Sequence, residues 1–180
     1  MNNNPQIVSI IPARGGSVRI PKKNIILLNG KPLIAYSIET SLLSKRIHRT
    51  IVSTDNDEIA AISESLGAEV FRRDPALSAD NSSTELAMID VLEKLHDTGY
   101  YPEYLVLLQP TSPLRHSAIV DIGIEKIIES KADSLLSICE MPHYYLSGHF
   151  DSGEYVLDYN TRPFSHNMQK KYRENGALFI

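Results

Sequence analysis

The chain has 180 residues, of which 42% are hydrophobic and 22% charged, an ordinary composition for one globular domain with a sizeable core. Its net charge of −4 argues against general nucleic-acid binding, and no apolar stretch approaches the roughly 18 residues that a membrane span needs. Because the single cysteine excludes an internal disulfide and no secretory signal is visible, we expect a protein of the reducing cytoplasm.

Short apolar runs alternate with helical patterns along most of the chain. Strands are predicted at 7–11, 49–53, 69–72, 104–108 and 134–139, with a further strand from 176. Helices are predicted from four sets of spaced apolar residues: Ile34-Ile38-Leu42, Ile59-Ile62-Leu66, Met88-Val91-Leu92-Leu95 and Val120-Ile124-Ile127. This alternation predicts an α/β fold, a three-layer, mostly parallel Rossmann-like sheet with helices on both faces.

Two local signals predict where helices begin. Pro32 suits the first position of a helix that continues to about residue 44. Ser82, followed three residues later by Glu85, is typical of a capping box at the start of the third helix. Since parallel sheets bind ligands beyond the carboxyl ends of their strands, the loops after the strands at 7–11 and 104–108 are expected to meet at a site.

The loop after the first strand carries most of the chemical information. It has the sequence PARGGSVRIPKKN at 12–24, with two adjacent glycines and the cations Arg14, Arg19, Lys22 and Lys23. Five of the chain's 18 basic residues and none of its 22 acidic residues lie in 1–38. Glycines permit positive φ and bring bare N–H groups against an anion. The loop therefore predicts a site for a compact anion such as a polyphosphate, and a surface turn with solvated charges is the alternative.

This loop resembles the signature loop of the cytidylyltransferases that activate sialic acids and related nine-carbon acids, CMP-N-acetylneuraminate synthetase and its relatives. Four further segments match the family in order: KPLI at 31–34, VSTD at 52–55, LLQPTSPLR at 107–115 and YRENGA at 172–177. The resemblance spans nearly the whole chain, and the loop and the QPTSPLR block together are highly specific.

The resemblance implies a cytidylyl transfer from CTP to a sialic-acid-type nonulosonic acid, with release of pyrophosphate and with Mg²⁺ as cofactor. It assigns the nucleotide to Arg14, Gly15, Gly16, Ser17, Lys23, Asn24, Arg73, Ser82 and Thr84, with Arg14 and Lys23 as catalytic residues. It assigns the sugar acid to Gln109, Thr111, Ser112, Arg162, Arg173 and Asn175. Metal ligands stay unassigned. Structural alternatives remain open for Ser82 as a helix cap and for the prolyl turn at 110–113.

The resemblance also divides the chain into three parts. It implies a nucleotide-binding α/β core at 1–140, a dimerisation arm at 141–171 that packs on a second subunit of a homodimer, and a return to the core sheet at 172–180. Val18 stands where the family has a lysine, and the family continues past the position of Ile180 with an Asp-x-Asp segment. A catalytically impaired or truncated relative that binds nucleotide or sugar without turnover is therefore the alternative function.

Overall fold

The computed structural model describes residues 5–17, 20–78, 82–141, 148–157 and 170–180. Val18, Arg19 and Arg162 lie outside these ranges. The contacts between residues divide the chain into two compact units, 1–136 together with 176–180, and 137–175. No helix in the described part of the chain is long and apolar enough to cross a membrane.

The central sheet has six strands in the order β5-β4-β1-β6-β10-β7. These strands are β1 (Ile7–Pro12), β4 (Arg49–Thr54), β5 (Glu69–Arg72), β6 (Tyr104–Leu107), β7 (Leu136–Glu140) and β10 (Tyr172–Phe179). The pairs β1–β4, β1–β6 and β4–β5 are parallel, and β10 pairs with β6 in the antiparallel direction. Two short hairpins complete the strands, β2 (Leu27–Leu28) with β3 (Lys31–Pro32) and β8 (Gly148–Asp151) with β9 (Glu154–Leu157).

Helices cover both faces of this sheet. They are α1 (Leu33–Leu42), α2 (Asp57–Ser65), α3 (Thr84–Asp97) and α4 (Ser117–Ser130). Alternate residues of β1 belong to two separate buried clusters, because successive side chains of a strand point to opposite faces. Ile7 and Ile11 pack with residues of α1, α2 and α4, whereas Val8 and Ile10 pack with residues of α3. The predicted mostly parallel sheet with helices on both faces is thus confirmed.

The start and the buried face of α1 differ from the prediction. Asn29 and Gly30 have positive φ and close the β2–β3 hairpin, so Pro32 ends β3 and α1 begins one residue later. Leu42, predicted to be buried, is 48% exposed because the helix ends there. Ser41 is buried instead, and its hydroxyl hydrogen-bonds the hydroxyls of Ser9 at 2.6 Å and Thr50 at 2.7 Å. The helix therefore packs on the sheet partly through a chain of hydroxyl groups.

Candidate active site

A cavity of about 320 Å³ is lined by residues that follow β1, β5 and β6. β1 lies between β4 and β6, so the order of the strands reverses at β1. Open α/β sheets bind their ligands at this reversal, beyond the carboxyl ends of the strands. The volume is in the range of small-molecule sites. The loop after β1 and the turn after β6 do meet here.

The charged residues described in the lining of this cavity are all basic. Its lining residues are Pro12, Arg14, Gly16, Ser17, Lys23, Asn24, Arg73, Leu77, Ser82, Ser83, Thr84, Gln109, Pro110 and Thr111. Three of them are cations, and none of the described lining residues is acidic. An excess of positive charge among the lining residues favours an anionic ligand. The cavity is therefore suited to a phosphate-bearing molecule.

Hydrogen bonds to backbone groups hold the loop that follows β1. The N–H of Gly15 donates to Oδ1 of Asp55 at 2.8 Å, and Nδ2 of the buried Asn24 donates to the carbonyl oxygen of Arg14 at 3.0 Å. A Cβ at position 15 would lie 2.9 Å from two atoms of the Asn56 side chain, closer than real Cβ contacts. Glycine is needed at 15 because the loop passes so near α2.

The two glycines differ in a way that the sequence does not indicate. Neither has positive φ, so the freedom of glycine to adopt a left-handed conformation is not used at 15–16. Left-handed backbone occurs instead at Lys22, with φ 53°. Gly16 lines the cavity, and apart from its chain neighbours no atom of the described residues lies within 4 Å of its ideal Cβ position. Gly15 therefore supports the loop, while Gly16 leaves room in the cavity.

The two adjacent lysines differ in the same way. Nζ of Lys22 forms an ion pair with Oε2 of Glu58 at 2.8 Å, which directs this side chain toward α2. Lys23 lines the cavity and makes no ion pair with a carboxylate of the described ranges. A bound anion would therefore be the nearest charge partner for Lys23.

Arg73 is the buried cation of the cavity, only 7% exposed. Its Nε donates to Oγ of Ser53 at 3.0 Å, and its Nη2 donates to the carbonyl oxygen of the same residue at 2.9 Å. Burial lowers the pKa of Arg73, and the negative charge of Asp55 partly opposes this shift. The side chain is thus fixed at the end of β4 with a charge that burial disfavours, which an anionic ligand would stabilise.

The segment before α3 shows that Ser82 is not the helix cap. Ser83 is the N-cap residue, since its Oγ accepts from the N–H of Leu86 at 3.4 Å. The predicted capping box of Ser82 and Glu85 is therefore wrong: the helix begins at Thr84, the cap is one residue later, and Leu86 stands where a capping box needs Glu or Gln. Oγ of Ser82 is buried without a hydrogen-bond partner among the described residues, although Ser82 lines the cavity. A buried unpaired hydroxyl is costly, which suggests that a ligand satisfies it.

The turn after β6 forms the opposite wall with Gln109, Pro110 and Thr111. Ser112 is not among the lining residues, and its hydroxyl donates to the carbonyl oxygen of Gly176 at 2.9 Å. Two backbone hydrogen bonds tighten the turn, from the N–H of Ser112 to Gln109 and from the N–H of Arg115 to Ser112. The part of the lining that this turn provides is thus uncharged.

Comparison with known proteins identifies the family. The family described as "Cytidylyltransferase" has a sequence model that matches residues 8–178. The chain belongs to the cytidylyltransferase family.

Relatives within the cytidylyltransferases agree with the predicted resemblance and confirm it. The chain is 40% identical over 182 residues to CMP-N,N'-diacetyllegionaminic acid synthase of Legionella pneumophila, covering 97% of this chain and 77% of that protein. It is 36% identical over 180 residues to pseudaminic acid cytidylyltransferase of Campylobacter jejuni, covering 95% and 76%. Its fold is that of CMP:2-keto-3-deoxy-manno-octonic acid synthetase solved with CTP, with TM-score 0.72, 17% identity, and coverage of 97% and 73%.

Three further residues are predicted for the sugar acid of this cytidylyltransferase. Arg173 and Asn175 belong to the second unit, where Nε of Arg173 lies 3.5 Å from Sγ of Cys139 and Asn175 accepts from Ser137 at 2.6 Å. Arg162 lies outside the described residues. Their roles, like those of the residues that line the cavity, stay predictions.

Sequence reasoning assigned no role to Arg115, the last residue of the QPTSPLR block. It is 7% exposed and donates through Nη2 to the carbonyl oxygen of Gln109 at 2.8 Å, and through Nε to that of Ala177. Burial lowers its pKa to about 10. A cation that ends a motif and has no acidic residue nearby in sequence is the signal that could have drawn attention to it.

Proposed function

We propose that this protein transfers the cytidylyl group of CTP to a nonulosonic acid, forming a CMP-sugar and pyrophosphate. The observation that carries the proposal is the cavity at the strand reversal, whose lining combines three cations with the neutral Gln109 turn. The names of the relatives support it, because those proteins are described as cytidylyltransferases or CMP-sugar synthases for pseudaminic and legionaminic acids. A relative without turnover is not favoured by any of these matches.

In this reaction a hydroxyl oxygen of the sugar acid bonds to the α-phosphorus of CTP, and the proton of that hydroxyl is released. The bond from that phosphorus to the bridging oxygen breaks, and pyrophosphate leaves with the electron pair. Phosphoryl-type transfer requires in-line positioning and stabilisation of charge on the phosphate oxygens. Arg14, Lys23 and Arg73 are the groups of the cavity that supply positive charge, with Arg14 and Lys23 as the proposed catalytic residues.

Neutral groups of the cavity would select the two organic parts of the substrates. Ser82 and Thr84 are proposed to contact the cytosine, and the buried unpaired hydroxyl of Ser82 supports this assignment. Gln109 and Thr111 are proposed to contact the sugar acid from the opposite wall. A carboxylate on the sugar also needs a cation, for which Arg162 and Arg173 remain candidates.

Magnesium is proposed on the chemistry of the substrate rather than on a protein site. The described residues contain no group of three or more His, Cys, Asp or Glu side chains that could hold a metal ion. Mg²⁺ is commonly held by substrate phosphates with one or two carboxylates and several waters. The described residues therefore do not form a metal site by themselves. The roles given above are those of the protein's own side chains.

A homodimer and a cytoplasmic location complete the proposal. CTP is a cytoplasmic substrate, and a single cysteine suits a reducing compartment. The β8–β9 hairpin of the second unit exposes Phe150, Tyr155 and Val156, which supports a role of the arm in association. Light scattering at micromolar concentration tests this part, and a monomer would contradict it.

The decisive experiment measures pyrophosphate release from CTP and Mg²⁺ with N-acetylneuraminate, legionaminate and pseudaminate in turn. We expect turnover with at least one of them, and none when UTP or ATP replaces CTP. The 3-deoxy-manno-octulosonate substrate of the related transferases serves as the control acid. Measurable CTP binding without turnover on any nine-carbon acid would overturn the proposal in favour of a non-catalytic nucleotide-binding protein.

A further inference from the structure

The carbonyl oxygen of Gln109 is held more firmly than the turn alone requires. It accepts hydrogen bonds from Nη2 of Arg115 at 2.8 Å, from Oγ of Ser37 at 3.2 Å and from the N–H of Ser112 at 3.2 Å. Three donors on one carbonyl oxygen fix its position and the direction of the peptide. Gln109 lines the cavity, and these bonds fix the backbone from which its side chain extends.

The same guanidinium reaches the end of β10. Nε of Arg115 donates to the carbonyl oxygen of Ala177, one residue after Gly176. An ideal Cβ at Gly176 would lie 3.5 Å from Oε1 of Gln109, so the backbone of this strand passes beside the Gln109 amide group. Arg115 thus determines both the backbone position of Gln109 and the position of the strand that its side chain contacts.

Arg115 does this as an isolated buried charge. It is not among the residues that line the cavity, and it makes no ion pair with any carboxylate of the described ranges. Its remaining contact, from Nη1 to Oγ of Ser37 at 3.4 Å, joins it to α1. A planar guanidinium can serve three acceptors in fixed directions, which the single ammonium group of lysine cannot do. A buried charge without an acidic partner is costly, so the guanidinium of Arg115 indicates a requirement for hydrogen bonds to these three acceptors.

We propose that Arg115 is a positioning residue that aims the Gln109 side chain at the sugar acid by joining the turn after β6 to β10. The identity of the sugar acid rests on the proposed function, whereas the joining of the turn to the strand does not. Arg115 touches neither substrate in this proposal. Its loss displaces Gln109 and leaves the cations of the opposite wall in place.

The test compares R115K with S37A and with the control S44A. Ser44 is also buried and joins α1 to α4 through Asp121, but it lies outside the cavity lining. For R115K we expect kcat/KM for the sugar acid to fall by about a hundredfold, since a displacement of about 1 Å can have this effect. S37A, which removes one donor to Gln109, should show a smaller loss of the same kind. The affinity for CTP should change by no more than about threefold in either variant, because the cations stay in place.

Hydrogen exchange provides a readout that does not depend on turnover. In R115K, peptides that cover 108–115 and 174–180 should exchange faster, while those of β1 and β4 keep the wild-type rate. S44A should lose stability without a change in either KM. Equal loss of CTP and sugar-acid affinity in a folded R115K, or unchanged exchange at 174–180, would overturn the inference. If the wild type turns over no sugar acid, the proposed function fails, and the exchange result still decides the role of Arg115.

Discussion

The loop at 14–24 and the segment at 82–84 line the same cavity with different chemistry. The loop provides the cations Arg14 and Lys23, whereas the segment before α3 provides only hydroxyl groups. In the loop, Lys22 pairs with Glu58 while Lys23 lines the cavity; before α3, Ser83 caps the helix and both serines line the cavity. Charged groups suit the phosphates of a nucleotide, and hydroxyl groups suit the polar edge of its base. The difference indicates how one end of a nucleoside triphosphate would be distinguished from the other.

The largest expected effect separates Lys23 from Lys22. In K23M, the affinity for CTP should fall about ten- to a hundredfold, the range for loss of a charge-assisted hydrogen bond worth about 1.5–3 kcal/mol. In K22M, the pair with Glu58 is lost at an exposed site, and we expect little change in CTP affinity. Titration calorimetry measures both variants. Equal losses in the two would show that the loop acts through its net charge and not through one directed side chain.

The second comparison separates Gly15 from Gly16 and concerns stability. A methyl group in G15A displaces Asn56, whose side chain caps α2 by accepting from the N–H of Ile59 at 3.0 Å. We expect a loss of about 1–3 kcal/mol in the free energy of unfolding, as for other overpacked sites. G16A meets no atom within 4 Å, so it should fold with unchanged stability and bind CTP more weakly. Urea denaturation of both variants checks this, and an unstable G16A would contradict it.

The sheet and its helices follow from features that a sequence carries locally. Alternation of apolar runs with helical spacings predicted the parallel strands and the buried faces of α2 and α4, including Val120, Ile124 and Ile127. The convergence of the loop after β1 with the turn after β6 follows from the direction of parallel strands. These features depend on patterns over many residues, and an error at one position does not change them.

The division of roles between adjacent residues does not follow from such patterns. Whether Gly15 or Gly16 is crowded depends on α2, which is distant in sequence, and whether Ser82 or Ser83 caps α3 depends on a shift of one residue. The role of Arg115 depends on carbonyl oxygens of the turn after β6 and of β10, which meet only in the folded chain. Tertiary contacts decide these cases, so sequence patterns can name the segment but not the residue.

The smallest expected effect is the difference between S82A and S83A. S82A should weaken CTP binding without loss of stability, whereas S83A should mainly lose stability. S82A removes a buried hydroxyl that lacks a partner, so the free energy of unfolding should stay the same or rise, by about 1 kcal/mol at most. Its CTP affinity should fall by up to about tenfold, the value of one neutral hydrogen bond. S83A loses the N-cap of α3 and should be less stable by about 1 kcal/mol. Ser83 also lines the cavity, but its Oγ is already bonded to Leu86, so the CTP affinity of S83A should fall less than that of S82A.

Thermal unfolding with and without CTP measures both quantities for this serine pair. A stabilised S82A that also responds less to CTP would show that the hydroxyl is retained for the ligand and not for the fold. The reverse result, with S82A destabilised and CTP binding unchanged, would assign Ser82 to the protein interior. Contact with the base would then be assigned to Thr84, which is the first residue of α3 and also lines the cavity.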